Sequence, residues 1–250
     1  LWTGKWWNAI QALLPKGATL APLIIATDKT NLTQFSGGKQ AYLVYLTIGN
    51  IPRAIRRKPS KHACVLIGYL SCLFHESMRA ILQPLIEAGK NGVEMVGGDG
   101  AVRRVHPVLA CYAADYPEQT LVACTKYGTC PKCQVHANEL QDIPGSGGSQ
   151  KAARTPAWTT SIIRDAKLSS NSTAQFHEKC MEHEVSGSLN SPFWAELPYT
   201  DVHLSMTPDV LHQLYQGVLK HLIGWCQKAM SSQELDCCIR SLPPAMCYGC

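Results

Sequence analysis

Residues 20–27 read Leu-Ala-Pro-Leu-Ile-Ile-Ala-Thr, without a charged side chain, and the polar residues Asp28, Lys29, Thr30 and Asn31 follow directly. A continuous apolar run of this length, closed by a polar turn, is the pattern of a buried strand. A buried strand needs partners, and the next segments supply them. Residues 41–48 alternate Tyr, Val and Thr with Leu and read as a second strand, ended by Asn50-Ile51-Pro52. Residues 64–70 read as a third. Met78, Ile81, Leu82, Leu85 and Ile86 then form a helical stripe within residues 74–88, closed by Gly89. A short strand at 93–96 precedes Gly97-Gly98-Asp99-Gly100, and an apolar run at 105–114 leads into Asp115-Tyr116-Pro117. Strands, then a helix, then more strands predict an α/β fold built on a mixed sheet.

The flanks add helices. Trp2, Trp6, Trp7, Ile10, Leu13 and Leu14 fall at helical spacing until Pro15. Pro144-Gly145-Ser146-Gly147-Gly148-Ser149 is the clearest linker. Residues 155–181 read as mostly helical and polar, and residues 192–198 as an aromatic loop. Thr207 and Pro208 suit the N-cap and first position of a helix whose stripe is Val210, Leu211, Leu214, Val218, Leu222 and Trp225. The expected organisation is a first part at 1–143, a linker at 144–154 and a helical part at 155–250. There is no internal repeat.

Bulk properties bound the function. A chain of 250 residues with 46% hydrophobic and 16% charged side chains can bury one sizeable core, with or without a satellite subdomain. The net charge of +5 suits a polyanionic partner without requiring one. The longest apolar run, 65–74, is too short to span a membrane. The 12 cysteines follow no secretory signal, so a disulfide framework is not expected. Cys64, Cys72 and Cys111 read as buried reduced thiols. Leu1 in place of Met suggests a fragment.

Cys124-x5-Cys130-x2-Cys133-x2-His136 is different. A Cys-x-x-Cys lets two thiolates grip one tetrahedral ion from a tight turn, and Pro131 shapes that turn. A redox pair would want to open a helix in a thioredoxin-like unit, which these surroundings lack; unpaired thiols stay an open alternative. Arg53, Arg56, Arg57, Lys58 and Lys61 form one basic cluster, Arg103 and Arg104 a smaller one. Each suits phosphate, and the first reads equally well as a solvated loop. Asp28, on its residues alone, is an Asx-turn closing a strand.

Ordered stretches carry a resemblance: Thr3-Gly4-Lys5-Trp6-Trp7, Pro15-Lys16-Gly17-Ala18-Thr19, Ile25-Ala26-Thr27-Asp28-Lys29-Thr30, and Tyr42 through Asn50. Later come Gly89-Lys90-Asn91-Gly92-Val93-Glu94, Asp115-Tyr116-Pro117-Glu118-Gln119, Cys130-Pro131-Lys132-Cys133, and Thr207-Pro208-Asp209-Val210-Leu211-His212-Gln213. The series resembles Plavaka transposases of basidiomycete fungi and, more distantly, CACTA-type transposases. It departs from the family between Leu70 and Phe74, where this chain is shorter, and over residues 245–250.

The resemblance implies an RNase H-like core with flanking helices and an inserted, zinc-clamped helical subdomain. It implies metal-dependent DNA strand cleavage and strand transfer with Mg²⁺ or Mn²⁺ at carboxylates. Asp28 is expected as the first catalytic carboxylate and Asp115 as the second, with Asp99 a competitor in a turn setting. Asp209 is the remaining candidate for the third, although the third acid is expected beyond residue 250; Glu234 and Asp236 read as surface charges. Zn²⁺ is expected at Cys130, Cys133 and His212, with Cys124, His203, His136 and His221 as candidates for the fourth ligand. His62, His75 and His177 read as ordinary residues. Arg53, Arg56, Arg57, Lys58, Arg103 and Arg104 are the expected nucleic-acid contacts. The implied partner is DNA, both transposon ends and target, with no membrane, a nuclear location and a homo-oligomer. A decayed copy that binds DNA or protein through a zinc-held scaffold is the alternative.

Overall fold

The computed structural model describes residues 4–32, 39–70, 73–140, 152–208 and 210–241, with residues 208 and 211–213 described by their backbone alone. Strands β1 (Thr19–Asn31), β2 (Gln40–Ile48) and β3 (Val65–Leu70) form an antiparallel meander. Helix α3 (Phe74–Asn91) then carries the chain past β1, where β4 (Val93–Val96) and β5 (Val102–Ala114) form a hairpin. β5 lies parallel to β1, so the order is β3-β2-β1-β5-β4, and β6 (Met206–Pro208) pairs with β5. The outcome is the expected mixed α/β sheet with flanking helices.

β1 is central because its apolar run serves two cores. Leu20 joins Leu14 and Val108 in a cluster covered by Trp6, Trp7 and Ile10, which ties in helix α1 (Lys5–Leu13). Ile25 joins Leu109, Tyr112, Val44 and the α3 stripe of Phe74, Met78, Leu82 and Ile86 in the main core. Burying each such side chain stabilises by about 1.5–3 kcal/mol. Gly89 lets α3 come close to β5. A Cβ there would lie 2.9 Å from the Pro107 carbonyl oxygen, and the Gly89 carbonyl accepts from His106 Nδ1 at 2.9 Å.

Two local expectations are corrected. The polar segment 28–31 is not a turn: it continues β1, with Asp28 opposite Leu43 and Asn31 opposite Gln40. Pairing of the backbone with β2 outlasts the apolar run. Thr207 does not cap a helix, because β6 is drawn onto β5 and the Thr207 hydroxyl donates to the Tyr112 carbonyl at 3.1 Å. The stretch after the linker is mostly helical as expected, in two helices, α5 (Pro156–Ser169) and α6 (Thr173–Glu182). Thr155 and Ser172 cap them through side chains that accept from Trp158 N and Gln175 N. In addition, Cys64 is exposed and Cys111 half-buried, and no described cysteine is in a disulfide. The linker residues 144–149 and Cys72 lie outside the described residues.

The chain divides into two compact units, Leu1–Thr207 and Pro208–Cys250. In the first, Ile163, Phe176, Cys180, Phe193, Trp194 and Val202 share the main core with Ile25 and Leu109. The second holds a π-helix (Val210–Leu219), helix α8 (Lys220–Ala229) and helix α9 (Ser232–Arg240). Glu234 closes a capping box with Ser231 at the start of α9. No helix among the described residues is long and apolar enough to cross a membrane.

Candidate functional site

The parallel register of β1 and β5 pairs Ala26 with Ala113. Two residues on, Asp28 near the end of β1 and Asp115 just past β5 stand at the same end of neighbouring strands. Asp115 is the N-cap of helix α4 (Tyr116–Val122): its Oδ1 accepts from Glu118 N at 2.9 Å. That bond fixes the carboxylate and satisfies one of the free N–H groups of the first turn.

Glu118 is the group that the sequence did not flag. In Asp115-Tyr116-Pro117-Glu118 it has the spacing of a capping-box partner, which suggests a local and exposed role. Instead its side chain turns inward. Glu118 is 3% exposed, Oε2 accepts from Thr27 Oγ1 at 2.9 Å, and Thr27 in turn accepts from Tyr112 OH at 3.2 Å. Oε1 is buried with no hydrogen-bond partner. Burial pushes the Glu118 carboxyl up to about 7, and the Asp115 and Asp28 charges add to the rise, against the Thr27 hydrogen bond and Lys29. Tyr42 faces the same groups: burial, then Glu118 and Asp115, raise its hydroxyl. Lys29 Nζ lies 5.7 Å over the Tyr42 ring.

Asp99 is elsewhere. It sits in the β4–β5 turn and accepts from Ala101 N at 3.1 Å and Arg103 Nη1 at 2.8 Å. Arg103 thereby holds its carboxyl below the usual carboxylate range. Arg104 is paired as well, with Glu94 at 3.1 Å. Both members of the smaller basic cluster are thus engaged by acids. Asp209 lies outside the described residues.

The Cys-x-x-Cys forms a tight loop. The Cys130 and Cys133 thiols neighbour each other; burial first, then the Cys130 side chain, raise the Cys133 thiol. Lys132 N donates to Cys130 Sγ at 3.4 Å. Beneath the loop lies Arg154, 1% exposed. Its Nε donates to the Cys130 and Cys133 carbonyls at 3.0 and 2.9 Å, and its guanidinium stacks on Trp158 at 5.3 Å. Arg154 is reached from beyond the linker, which no short-range motif signals.

The other ligand candidates are occupied differently. Cys124 is fully buried and meets His75 Nε2 at 3.4 Å. Burial holds His75 down at about 4. His203 is buried with both ring nitrogens in use, Nδ1 donating to the Pro131 carbonyl at 2.7 Å and Nε2 accepting from Thr159 Oγ1 at 2.9 Å. It positions the loop from behind and leaves no lone pair for a metal. His136 Nδ1 is 3.3 Å from Glu184, and the His221 ring lies 6.5 Å from Trp225. The His212 side chain is outside the described residues. Among the described residues no group of three or more His, Cys, Asp and Glu is arranged to hold a metal ion. Cys124 therefore does not join Cys130 and Cys133 in a three-ligand set.

Against known proteins, no curated protein matches the chain. The Plavaka transposase family matches it over residues 1–72 and 71–226, in two segments that meet where the chain was expected to be shortened. With a match across most of its length, the chain belongs to the Plavaka transposase family.

Proposed function

We propose that the unit Leu1–Thr207 is an RNase H-like DNA transposase core of CACTA type. Asp28 and Asp115 hold Mg²⁺ or Mn²⁺ there for strand cleavage and strand transfer. The observation that carries the reading is the common strand end shared by Asp28 and Asp115 on parallel neighbours β1 and β5. The topology supports it, with a central β1 flanked by an antiparallel meander on one side and a parallel strand on the other.

The donor chemistry fits a hard cation. Mg²⁺ takes one or two carboxylates and fills its remaining positions with water and substrate phosphate, so two protein carboxylates suffice to start a site. The buried, unpartnered Glu118 Oε1 adds oxygen character to the same end. Divalent cations here supply activation of the attacking oxygen and stabilisation of the leaving one. The protein's part is positioning: the α4 cap holds Asp115, and the Tyr112–Thr27–Glu118 chain ties β5 and β1 to α4. Cys130 and Cys133 hold Zn²⁺ in a structural role, supported by the adjacency of their thiols over Arg154. The partner is DNA, at transposon ends and target, in the nucleus, with the protein as a homo-oligomer.

The test is nicking of supercoiled plasmid in Mn²⁺. Nicking lost in Asp28→Asn and in Asp115→Asn is the expected result, and nicking that persists in both variants overturns the assignment. Zinc and DNA binding without any nicking supports the other reading, a non-catalytic scaffold held by the Cys130–Cys133 loop.

A further inference from the structure

From residue 29 to residue 75 the sequence contains no Asp or Glu. Within this stretch the β2–β3 connection concentrates positive charge: helix α2 (Arg53–Arg56), Arg57, Lys58 and a 3₁₀ turn over Pro59–Lys61. The connection is built, not slack. Backbone bonds run from Ile55 to Pro52, Arg57 to Arg53, Lys58 to Ile55, Lys61 to Lys58 and His62 to Pro59. Arg56 Nε is anchored on the Ile51 carbonyl at 2.9 Å. Arg57, Lys58 and Lys61 are exposed and make no ion pair among the described residues. Arg103 and Arg104, by contrast, are paired with Asp99 and Glu94.

The register fixes where this connection lies. β2 ends opposite Leu23, Gly49 N donates to the Pro22 carbonyl at 2.7 Å, and Asn50 Nδ2 to the Leu20 carbonyl at 3.0 Å. The basic connection therefore sits at the start of β1, whereas Asp28 and Asp115 sit at the opposite end of the sheet. The strand from Pro22 to Asp28 is about 20 Å long at about 3.3 Å per residue. That is about six base pairs of duplex at about 3.4 Å each.

We propose that Arg57, Lys58 and Lys61 form a second DNA-docking surface that grips duplex phosphates at the sheet end opposite Asp28 and Asp115. The choice of DNA rests on the transposase reading, while the surface rests on Arg57, Lys58 and Lys61, exposed on an ordered connection within an acid-free stretch of sequence and without an ion pair among the described residues. They hold a phosphate backbone about six base pairs from the strand being cut, set register, and take no part in the chemistry.

The experiment uses the full chain and a fluorescein-labelled duplex of about 30 base pairs, with anisotropy read over a salt series; removing three phosphate contacts lowers the slope of log K against log salt by about 2.7. The variant is Arg57→Gln/Lys58→Gln/Lys61→Gln, with Arg103→Gln/Arg104→Gln as comparison. A slope lowered by about two to three in the triple variant, and by less than about one in the comparison, is expected. An unchanged slope in a triple variant with the parent's circular dichroism and melting overturns the proposal. If the triple variant fails to fold, Lys58→Gln alone is expected to lower the slope by about 0.9, and no change there overturns it as well. Combining the triple with Asp28→Asn/Asp115→Asn tests the separation: sites this far apart give additive losses, and marked non-additivity overturns the placement. Mn²⁺ titration keeps the two readings apart. A parent that binds no Mn²⁺ while the triple variant still lowers the slope sinks the carboxylate assignment and leaves the docking surface standing.

Discussion

The Thr27 hydroxyl donates to Glu118 Oε2 at 2.9 Å, a bond between residues 91 positions apart. It joins the end of β1 to the first turn of α4 and keeps a carboxyl buried beside Asp28 and Asp115. Glu118 therefore reports on the state of the whole site.

Its titration sets a pH dependence. The folded value is raised to about 7 from an ordinary 4.5, burial being the main cause. The folded state binds the proton more tightly than the unfolded chain. This contribution is fully present below about 4.5 and is lost as pH rises through about 7. Glu118→Gln keeps the shape and removes the charge. In EDTA it should match the parent within about 1 kcal/mol at pH 5 and exceed it by about 2 kcal/mol at pH 8. Urea denaturation at the two pH values checks this, and parallel stability curves for parent and variant would sink it.

Asp115 has two separable duties. Asp115→Ala removes the cap on Glu118 N and should cost about 1 kcal/mol. Asp115→Asn keeps a capping oxygen and should lose little stability while abolishing Mn²⁺ binding. Denaturation and Mn²⁺ titration on both variants separate the duties; equal Mn²⁺ affinity in parent and Asn variant rules out Asp115 as a ligand.

The Cys130–Cys133 loop should carry one zinc per chain by elemental analysis, absent from Cys130→Ser/Cys133→Ser. Arg154→Met withdraws the donor from both loop carbonyls and should destabilise by about 3 kcal/mol, since buried acceptors are left without a partner. It should also speed zinc loss to a chelator. A well-folded parent without zinc would rule out the metal role of the loop.

Gly89 is a packing test outside the candidate site. In Gly89→Ala the new methyl meets Pro198 and the Pro107 carbonyl oxygen, so α3 must move off β5 at a cost of about 2 kcal/mol. Thermal unfolding measures it; an unchanged melting temperature would mean that the α3–β5 approach has slack.

The sequence alone determined the periodic elements. The uncharged run 20–27, the alternation at 41–48 and the stripe Met78–Leu82–Ile86 each carry their own period, so strands β1 and β2 and helix α3 are legible as local patterns. The ordered motifs pointed to the Plavaka transposases, the family that the chain matches. Everything decided by partners far along the chain needed the tertiary structure. The polar residues 28–31 join the sheet only because β2 pairs with them, and Thr207 goes to β5 rather than to a helix cap. Glu118 looks like an exposed capping residue until Thr27 takes its carboxyl, and His203 looks like a ligand until Pro131 and Thr159 occupy both nitrogens. Two basic clusters that look alike in sequence part once Asp99 and Glu94 are seen to neutralise only one. A hydrophobic period is a property of neighbours in sequence, whereas the role of a polar side chain is set by the partner that satisfies it, and the fold alone chooses that partner.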